Sequence, residues 1–290
     1  MSSSLQSRLG DAAGIRLLNP IAAQMDVMRT TLWAGLIDIL QSNLNRKASR
    51  VRLFEVGRVF HADASVQSGP LTVKGVHQPL RLAALAYGPV ADEQWGMPSR
   101  PVDYFDVKGD LEALCGAMSG ELRFERAAHA ALHPGRSARI LLAGQPVGWL
   151  GTLHPALQQH LELANEVVVL ELELDALRFR ELARPGENSR FPPVQRDVAW
   201  VVPSELSAQS VREEIDRALA AHPLGGLVTN VRLFDEYRGK GLENKEKSLA
   251  FRFWMQDTQR TLNDAEVAQL MDGIVSWMGE RLGVRLRSGA

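Results

Sequence analysis

Few side chains in this 290-residue chain have the types and spacing of an autonomous active site. His129 and His133 are four residues apart, which can place two imidazoles on one helix face for a metal ion. No HExxH motif surrounds them, however, and the second histidine begins a His-Pro-Gly turn. Glu171 and Glu173 alternate on a predicted strand and are expected to face solvent. Since phosphate loops and nucleophile elbows are also absent, we predict no catalytic residue and no metal ligand.

Aromatic and cationic residues near the C-terminus have chemistry suited to RNA. Alternation along two predicted strands places Arg232 and Phe234 on the same sheet face as Arg252 and Trp254. Single-stranded RNA is often held by stacking on aromatic rings and by charge neutralisation at phosphates. The alternative interpretation is that this face packs against another domain, because the RNP1 pattern is absent.

The elements that must position these residues follow the order β-α-β-β-α-β. β-branched and aromatic residues predict the strands, and Asn263 with Glu266 predicts a capping box at the start of the second helix. This order is the ferredoxin-like split βαβ arrangement, with both helices on one face of the sheet. The predicted strands are Asp197–Val202, Leu227–Phe234, Ser248–Met255 and Val284–Leu286, and the first helix is Ser207–Ala221.

The first part of the chain has the pattern of an antiparallel α+β domain. Trp33, Leu36, Ile37, Leu40 and Leu44 mark one side of an amphipathic helix. Alternating segments predict a sheet of about six strands flanked by helices, with a hairpin through Gly144-Gln145-Pro146. The predicted strands are Arg52–Phe60, Arg81–Gly88, Leu122–Arg126, Ile140–Ala143, Val147–Leu150 and Val167–Leu174.

Composition excludes several classes of protein. The chain has 33 Lys and Arg against 34 Asp and Glu, and 45% of its residues are apolar. It is therefore neither wholly disordered, nor collagen-like, nor a polycation, and binding to nucleic acid would need a local patch. The single cysteine, Cys115, excludes an intramolecular disulfide and fits a reducing cytoplasm. No apolar stretch approaches the roughly 20 residues of a membrane helix, so we predict a cytoplasmic protein without a membrane partner.

A proline-rich segment, ARPGENSRFPP at residues 183–193, is the best linker in the chain. It predicts three parts. Residues 1–14 are interpreted as a disordered or artificially added start, residues 15–186 as the first domain and residues 187–290 as the second.

Several separated stretches resemble, in the same order, the C-terminal portion of the bacterial phenylalanyl-tRNA synthetase β chain. The resemblance covers nearly all of residues 15–288. In the first domain the stretches are LNPIAAQMDVMRTTLWAGLIDILQSNLNR, VRLFEVGRVF, DYFDVKGDLEAL, LHPGRSA and GWLGTLHP. In the second they are FPPVQRDVAWVV, FDEYRGKGL, KSLAFRFWMQD and RTLNDAEV.

The resemblance implies that the first domain is a catalytically silent class II synthetase-like core. Working class II sites use an arginine and an acid in the second motif, and a glycine-rich third motif that ends in an arginine. Here the corresponding stretch ends Phe60-His61-Ala62-Asp63 without the arginine, and the third motif is missing. A transition-state charge with no fixed guanidinium opposite it loses its main stabilisation. The chain is thus expected to bind no cofactor itself, while the whole ligase uses ATP and Mg²⁺.

The resemblance also implies that the ferredoxin-like domain binds the anticodon region of tRNA(Phe). The family's contact positions correspond here to Asp235, Tyr237, Ser248 and Arg285. A tyrosine can stack on a base, an aspartate and a serine can bond base edges, and an arginine can pair with phosphate. The argument from the sheet face and its flanking charges adds Arg232, Arg252 and Lys247.

The implied partner is the catalytic α chain of an α2β2 heterotetramer, with the helix at residues 31–46 forming part of the interface. On this interpretation the chain is a non-catalytic scaffold and anticodon reader within phenylalanine–tRNA ligase. The alternative is that the ferredoxin-like domain is a small-ligand sensor or a protein-docking module without a tRNA role, because such folds host many functions.

Overall fold

The computed structural model consists of two compact units, Met1–Ala183 and Arg184–Ala290. Most of the sequence-derived linker, and the boundary at residue 186, lie outside the described residues. None of the helices among the described residues is long and apolar enough to cross a bilayer. The structure describes residues 3–9, 14–22, 25–116, 121–178 and 189–287.

The start of the chain contains a short helix, α1 (Ser3–Arg8), which leads into a buried leucine. Leu9 is 1% exposed and belongs to the core of the first unit, with Leu5 packed against the same core. The prediction of a disordered start is therefore wrong for residues 3–9. Leu5 and Leu9 are four residues apart, so they lie on one side of a helical turn. The residues between and around them are mostly polar, which is why the sequence pattern did not indicate a helix. Residues 1–2 and 10–13 lie outside the described part of the chain.

The first unit is an antiparallel sheet flanked by helices, which confirms the predicted α+β class. Its longer helices are α2 (Trp33–Asn45) and α3 (Tyr104–Cys115), followed by α4 (Pro155–His160). Its strands are β1 (Val51–Arg58), β2 (His61–Ala62), β3 (Val76–His77), β4 (Leu80–Tyr87), β5 (Leu122–Arg126), β6 (Leu132–Leu142), β7 (Gln145–Leu153) and β8 (Val167–Glu173). Six of them form one sheet in the order β1-β4-β8-β7-β6-β5, and β2 pairs with β3.

Helices cover both faces of this sheet, so its central strands are buried on both sides. Helix α2 packs with Val167 and Val169 of β8, whereas α3 packs with Val168 and Leu170. Successive residues of a strand point to opposite faces, so the two helices lie on opposite sides of the sheet. This arrangement explains why β8 is an almost continuous apolar run.

The hairpin between β6 and β7 turns one residue earlier than the sequence predicts. Leu142 pairs with Gln145, and both residues between them have positive φ, 50° at Ala143 and 76° at Gly144. Two such residues form the tight turn whose twist suits a β-hairpin. Gln145 and Pro146 therefore begin β7.

Glu171 is buried in the first unit, so the prediction that it faces solvent is wrong. Its carboxylate accepts hydrogen bonds from the Leu32 N–H at 2.6 Å and the Thr31 hydroxyl at 2.9 Å, and pairs with Arg81 at 2.5 Å. Burial raises the pKa of Glu171, whereas Arg81 and the two hydrogen bonds act to lower it. These contacts join β4 and β8 to the start of α2, some 140 residues away in sequence. Glu173, two residues along, is exposed as predicted.

The second unit has the predicted β-α-β-β-α-β order of a ferredoxin-like fold. Its elements are β9 (Val194–Pro203), α5 (Ala208–Ala221), β10 (Val228–Tyr237), β11 (Glu246–Met255), α6 (Asp264–Leu282) and β12 (Arg285–Leu286). The four strands form an antiparallel sheet in the order β10-β11-β9-β12. The predicted capping box is confirmed, since the Asn263 side chain accepts the Glu266 N–H at 2.9 Å and the Glu266 carboxylate accepts the Asn263 N–H.

Alternate residues of β11 form the core of the second unit. Leu249, Phe251, Phe253 and Met255 are each 1% exposed or less and pack with the two helices. The prediction that these four residues share the core face is confirmed. The opposite face of the sheet is hereafter called the open face.

A glycine substitution tests the close packing of β7 on β8. A Cβ added at Gly148 would lie 2.2 Å from the Glu171 carbonyl oxygen and 2.7 Å from the Leu172 Cα, so the strands would have to separate. We expect Gly148→Ala to lower the free energy of unfolding by about 1–3 kcal/mol, measured by denaturant titration. Gly109→Ala is the control, because a Cβ in the middle of α3 meets no atom within 4 Å. It should stabilise by about 0.5–1 kcal/mol, and equal effects of the two substitutions would contradict the packing argument.

Candidate nucleic-acid interface

Three of the four positions implied by the resemblance lie in one row across the open face. Tyr237 pairs with Ser248, Ser248 with Val201, and Val201 with Arg285. Directly paired residues of antiparallel strands project to the same face, so the row crosses all four strands. Asp235, the fourth position, lies one row further along the same face.

Two bulges in β10 set which of its residues reach the open face. The pairing shifts between Val228 and Asn230, and again between Leu233 and Asp235. Strict alternation from Arg232 and Phe234 would place Val228 on the open face as well. Val228 instead pairs with the core residue Met255, so alternation fails at this position. The second bulge leaves Phe234 as an extra residue, 48% exposed.

A cation–π contact bridges the two outer strands of the open face. The Arg287 guanidinium carbon lies 4.3 Å from the centre of the Tyr237 ring. Arg287 directly follows β12, and its N–H donates to the Ala199 carbonyl at 2.9 Å. Because β11 and β9 lie between β10 and β12, the Arg287 side chain extends across the open face, on which Ser248 and Val201 are only 2% and 3% exposed.

Arg287 is a candidate contact residue that the sequence-derived set omitted. The sequence contains one signal for this residue: side chains alternate between the two faces of a strand, so Arg287 lies on the same face as Arg285. A two-residue strand at the end of the chain carries too little pattern to locate its register, and only the pairing of Arg285 with Val201 establishes it.

Arg252 is engaged on the open face by a bidentate ion pair. Its Nε and Nη2 donate to the two carboxylate oxygens of Asp197, both at 2.7 Å. Its guanidinium carbon also lies 4.9 Å from the centre of the Phe234 ring. The hydrogen bonds from Arg252 lower the pKa of Asp197, and Asp197 raises the pKa of Arg252 in return. RNA phosphates would therefore have to compete with a carboxylate for this arginine.

The remaining arginines of the open face differ in their availability. Arg285 donates to Glu246 at 2.8 Å, whereas Arg232 is exposed and has no ion-pair partner among the residues that the structure describes. Arg232 is thus the cation most available to a phosphate. Asp235 is exposed beside it and carries an acceptor able to bond a base edge.

Lys247 does not share the open face, so its assignment to that face is wrong. It pairs with Val202 on the helix-covered side, is 6% exposed, and lies 3.6 Å from the Glu236 carboxylate. The odd-numbered residues of β11 all face the core, and Lys247 continues that series. Its positive charge suggested the open face, but its place in the alternation along β11 puts the Lys247 side chain on the opposite face.

Comparison with known proteins identifies the family. Residues 1–174 match the model described as phenylalanyl tRNA synthetase beta chain CLM domain, and residues 189–287 match the ferredoxin-fold anticodon binding domain. The chain belongs to the phenylalanyl-tRNA synthetase β chain family. It is 52% identical over 283 residues to the phenylalanine–tRNA ligase beta subunit of Burkholderia pseudomallei and 49% identical to that of Ralstonia nicotianae.

The chain spans about a third of the length of these relatives. Each alignment covers 96% of this chain and 35% of the relative. Among solved structures, pyrrolysyl-tRNA synthetase from Desulfitobacterium hafniense aligns with 14% identity and a TM-score of 0.41, over 61% of this chain and 58% of that chain.

The histidine pair singled out in the sequence takes structural positions among the described residues. No group of three or more His, Cys, Asp or Glu side chains among them is arranged to hold a metal ion. His129 instead packs between the rings of Trp33 and Trp149. The His133 ring nitrogen accepts the Gly135 N–H, and both residues lie within β6, so the prediction of a turn at His133 is wrong.

The ion pair between Arg252 and Asp197 is testable by titration. Because the pKa of Asp197 is lowered on folding, the pair stabilises the unit at neutral pH. That stabilisation disappears as the pH falls through the lowered folded-state pKa. Carboxyl-carbon NMR should show Asp197 titrating below its ordinary range, and Arg252→Gln should move the midpoint upward. Arg232→Gln is the control and should leave the midpoint in place, since among the described residues the ion pair of this carboxylate is with Arg252. An unchanged midpoint in Arg252→Gln would refute the pairing.

Proposed function

We propose that the chain is the non-catalytic β portion of phenylalanine–tRNA ligase, which binds the anticodon region of tRNA(Phe) and holds the catalytic α chain. The observation that carries the tRNA role is the row of Tyr237, Ser248 and Arg285 across the open face. It combines an aromatic ring, a hydroxyl and a cation within one sheet surface, which is the chemistry that single-stranded RNA requires. The description of the matched anticodon-binding domain supports the same function.

Binding at this row requires a rearrangement of side chains. Ser248 is 2% exposed, so its hydroxyl reaches a base only when neighbouring side chains move, and Tyr237 and Arg287 are in contact on the same face. Once displaced, Arg287 is free to pair with a phosphate while the Tyr237 ring accepts a base. Arg285 and Arg252 would exchange Glu246 and Asp197 for phosphate oxygens.

The proposed α-chain contact is an exposed apolar groove in the first unit. Leu18 and Ile21 are each 98% exposed, and Met25 is 49% exposed. Ile21 and Met25 line a groove of about 620 Å³ together with Asp38 of α2 and Phe60. Exposed apolar side chains that lie side by side are typical of a protein–protein interface.

The tRNA proposal predicts a separable role for the Tyr237 ring. Tyr237→Ala should weaken binding of tRNA(Phe) by about 5- to 150-fold, because base stacking on an aromatic ring contributes about 1–3 kcal/mol. Fluorescence anisotropy with labelled tRNA measures this. Tyr237→Phe keeps the ring and should bind within a few-fold of the original chain. Arg217→Gln, on the helix-covered side and 65% exposed, is the control for a general loss of positive charge.

Equal affinity of Tyr237→Ala and Tyr237→Phe would exclude stacking at this row. Arg232→Gln should in addition lower the slope of log affinity against log salt by about 0.7, the value for one phosphate contact to a single strand. A saturable response to free phenylalanine in the second unit, without any to tRNA, would favour the ligand-sensor alternative.

The α-chain proposal predicts the effect of a charge in the groove. Ile21→Asp should abolish co-purification with the α chain and the charging of tRNA by the mixture, because a buried, unpaired carboxylate opposes docking. Leu71→Asp is the matched control, since Leu71 is 89% exposed and does not line the groove. The chain alone should support no phenylalanine-dependent exchange of pyrophosphate into ATP. Robust exchange, or co-purification unaffected by Ile21→Asp, would contradict the proposal.

A further inference from the structure

The end of the open face furthest from Tyr237 carries a row of side chains to which neither the sequence nor the family assigns a role. Asn230 of β10 pairs with Trp254 of β11, and Trp254 pairs with Gln195 of β9. Directly paired residues of antiparallel strands project to the same face, so an indole ring lies between two amides. These three residues are hereafter called the indole row. Asn230 and Gln195 are exposed, and Trp254 is partly exposed.

The Trp254 ring differs from the other aromatic rings of the open face in having no cation against it. The Tyr237 ring lies 4.3 Å from the Arg287 guanidinium carbon, and the Phe234 ring lies 4.9 Å from that of Arg252. Within the described part of the chain, Trp254 contacts neither a guanidinium nor another ring. A base can therefore stack on Trp254 without first displacing an arginine.

The two amides beside Trp254 are available to the edge of a base. Neither the Asn230 nor the Gln195 side chain has a hydrogen-bond partner among the residues that the structure describes. Each amide presents an acceptor and a donor side by side. Asparagine and glutamine use that pair to bond N6 and N7 of adenine together, and this edge is accessible when the base is unpaired. The indole row thus combines a stacking surface with groups that can read a base.

A bulge in β10 gives Asn230 its place opposite Trp254. The pairing shifts between Val228 and Asn230, which leaves Thr229 as the extra residue. The Thr229 hydroxyl donates to the Trp254 carbonyl at 3.2 Å and so ties the bulge to β11. Without the extra residue, Thr229 would lie opposite Trp254, and Asn230 would lie opposite the core residue Phe253. Bulges that re-aim a side chain in this way are common beside functional sites.

A single RNA strand can reach from the Tyr237 row to the indole row. Ser248 and Trp254 are separated by six residues of β11, which span about 20 Å at about 3.3 Å per residue. Stacked bases lie about 3.4 Å apart, so about six stacked nucleotides cover the distance. Arg232 pairs with Arg252 in the row next to the indole row and is exposed without an ion-pair partner among the described residues. It can therefore receive a phosphate of the same strand.

We propose that the indole row is a second base subsite of the open face, which takes an unpaired adenine from the strand whose other base stacks on Tyr237. The Trp254 ring receives the face of the adenine. The amides of Asn230 and Gln195 bond its edge, and Arg232 pairs with the adjoining phosphate. The inference rests on the proposed function, because it takes the open face as a surface for single-stranded RNA.

Tryptophan fluorescence of the 290-residue chain tests the stacking, with the oligoribonucleotides r(A)6 and r(U)6 as probes. Saturating r(A)6 should quench part of the emission, because a base stacked on an indole quenches it. Trp254→Phe keeps a ring, so it should bind r(A)6 within a few-fold of the original chain and lose that quenching. Trp95→Phe is the matched control, since Trp95 is 96% exposed in the first unit, and it should keep the quenching. Quenching that persists in Trp254→Phe, or no saturable binding of r(A)6, would overturn the proposal.

Base preference tests the two amides. Fluorescence anisotropy should show that the original chain binds labelled r(A)6 about tenfold or more tightly than r(U)6. Asn230→Ala and Gln195→Ala should each lower this preference by about threefold or more, because each removes hydrogen bonds to the adenine. Asn45→Ala, at an exposed position at the end of α2, is the matched control. A preference that both amide variants retain in full, or equal binding of the two probes by the original chain, would contradict the adenine assignment.

Binding of labelled tRNA(Phe) separates this inference from the proposed function. Trp254→Ala and Tyr237→Ala should each weaken binding by about 5- to 150-fold, and the two factors should multiply in the double variant, since the sites lie about 20 Å apart. Loss of affinity in Tyr237→Ala alone would overturn the second subsite and leave the proposed function standing. Unchanged affinity in both variants would overturn both. Circular dichroism checks the fold of Trp254→Ala, and the variants at the two exposed amides test the subsite if that variant unfolds.

Discussion

The burial of four alternate side chains on β11 is the constraint on which the second unit depends. Leu249, Phe251, Phe253 and Met255 must all face α5 and α6, so a shift of one residue would expose every one of them. That requirement fixes the side on which Ser248, Arg252 and their neighbours project. The polar surface of the sheet is therefore specified by its apolar surface, and its chemistry can vary while the register stays fixed.

The sequence predicts the parts of this protein that repeat with a regular period. The core face of β11, the capping box at Asn263 and the six-stranded sheet all follow from local patterns, and all are confirmed. The wrong predictions concern positions where one inserted residue, or a partner far away in sequence, determines which face a side chain occupies. A bulge in β10 moved Val228 to the core, and parity overrode charge at Lys247.

Long-range contacts account for the rest of what sequence reasoning missed. Glu171 looked like a solvent-facing acid because its alternation with Glu173 is that of a half-exposed strand. Its partners Thr31 and Leu32 lie about 140 residues earlier, and no local window contains both.

The stacking of Arg287 on Tyr237 has a consequence for the RNA binding proposed above. Arg287 competes with a base for the Tyr237 ring, so the apparent affinity for the proposed RNA partner would equal the intrinsic affinity multiplied by the fraction of molecules in which the ring is uncovered. The Arg287 guanidinium carbon, 4.3 Å from the centre of the Tyr237 ring, also covers an apolar surface that could otherwise bind unrelated molecules non-specifically. For the proposed function, selectivity would be gained at the expense of affinity, because only a partner with both a base and a phosphate replaces the two contacts that Arg287 and Tyr237 lose.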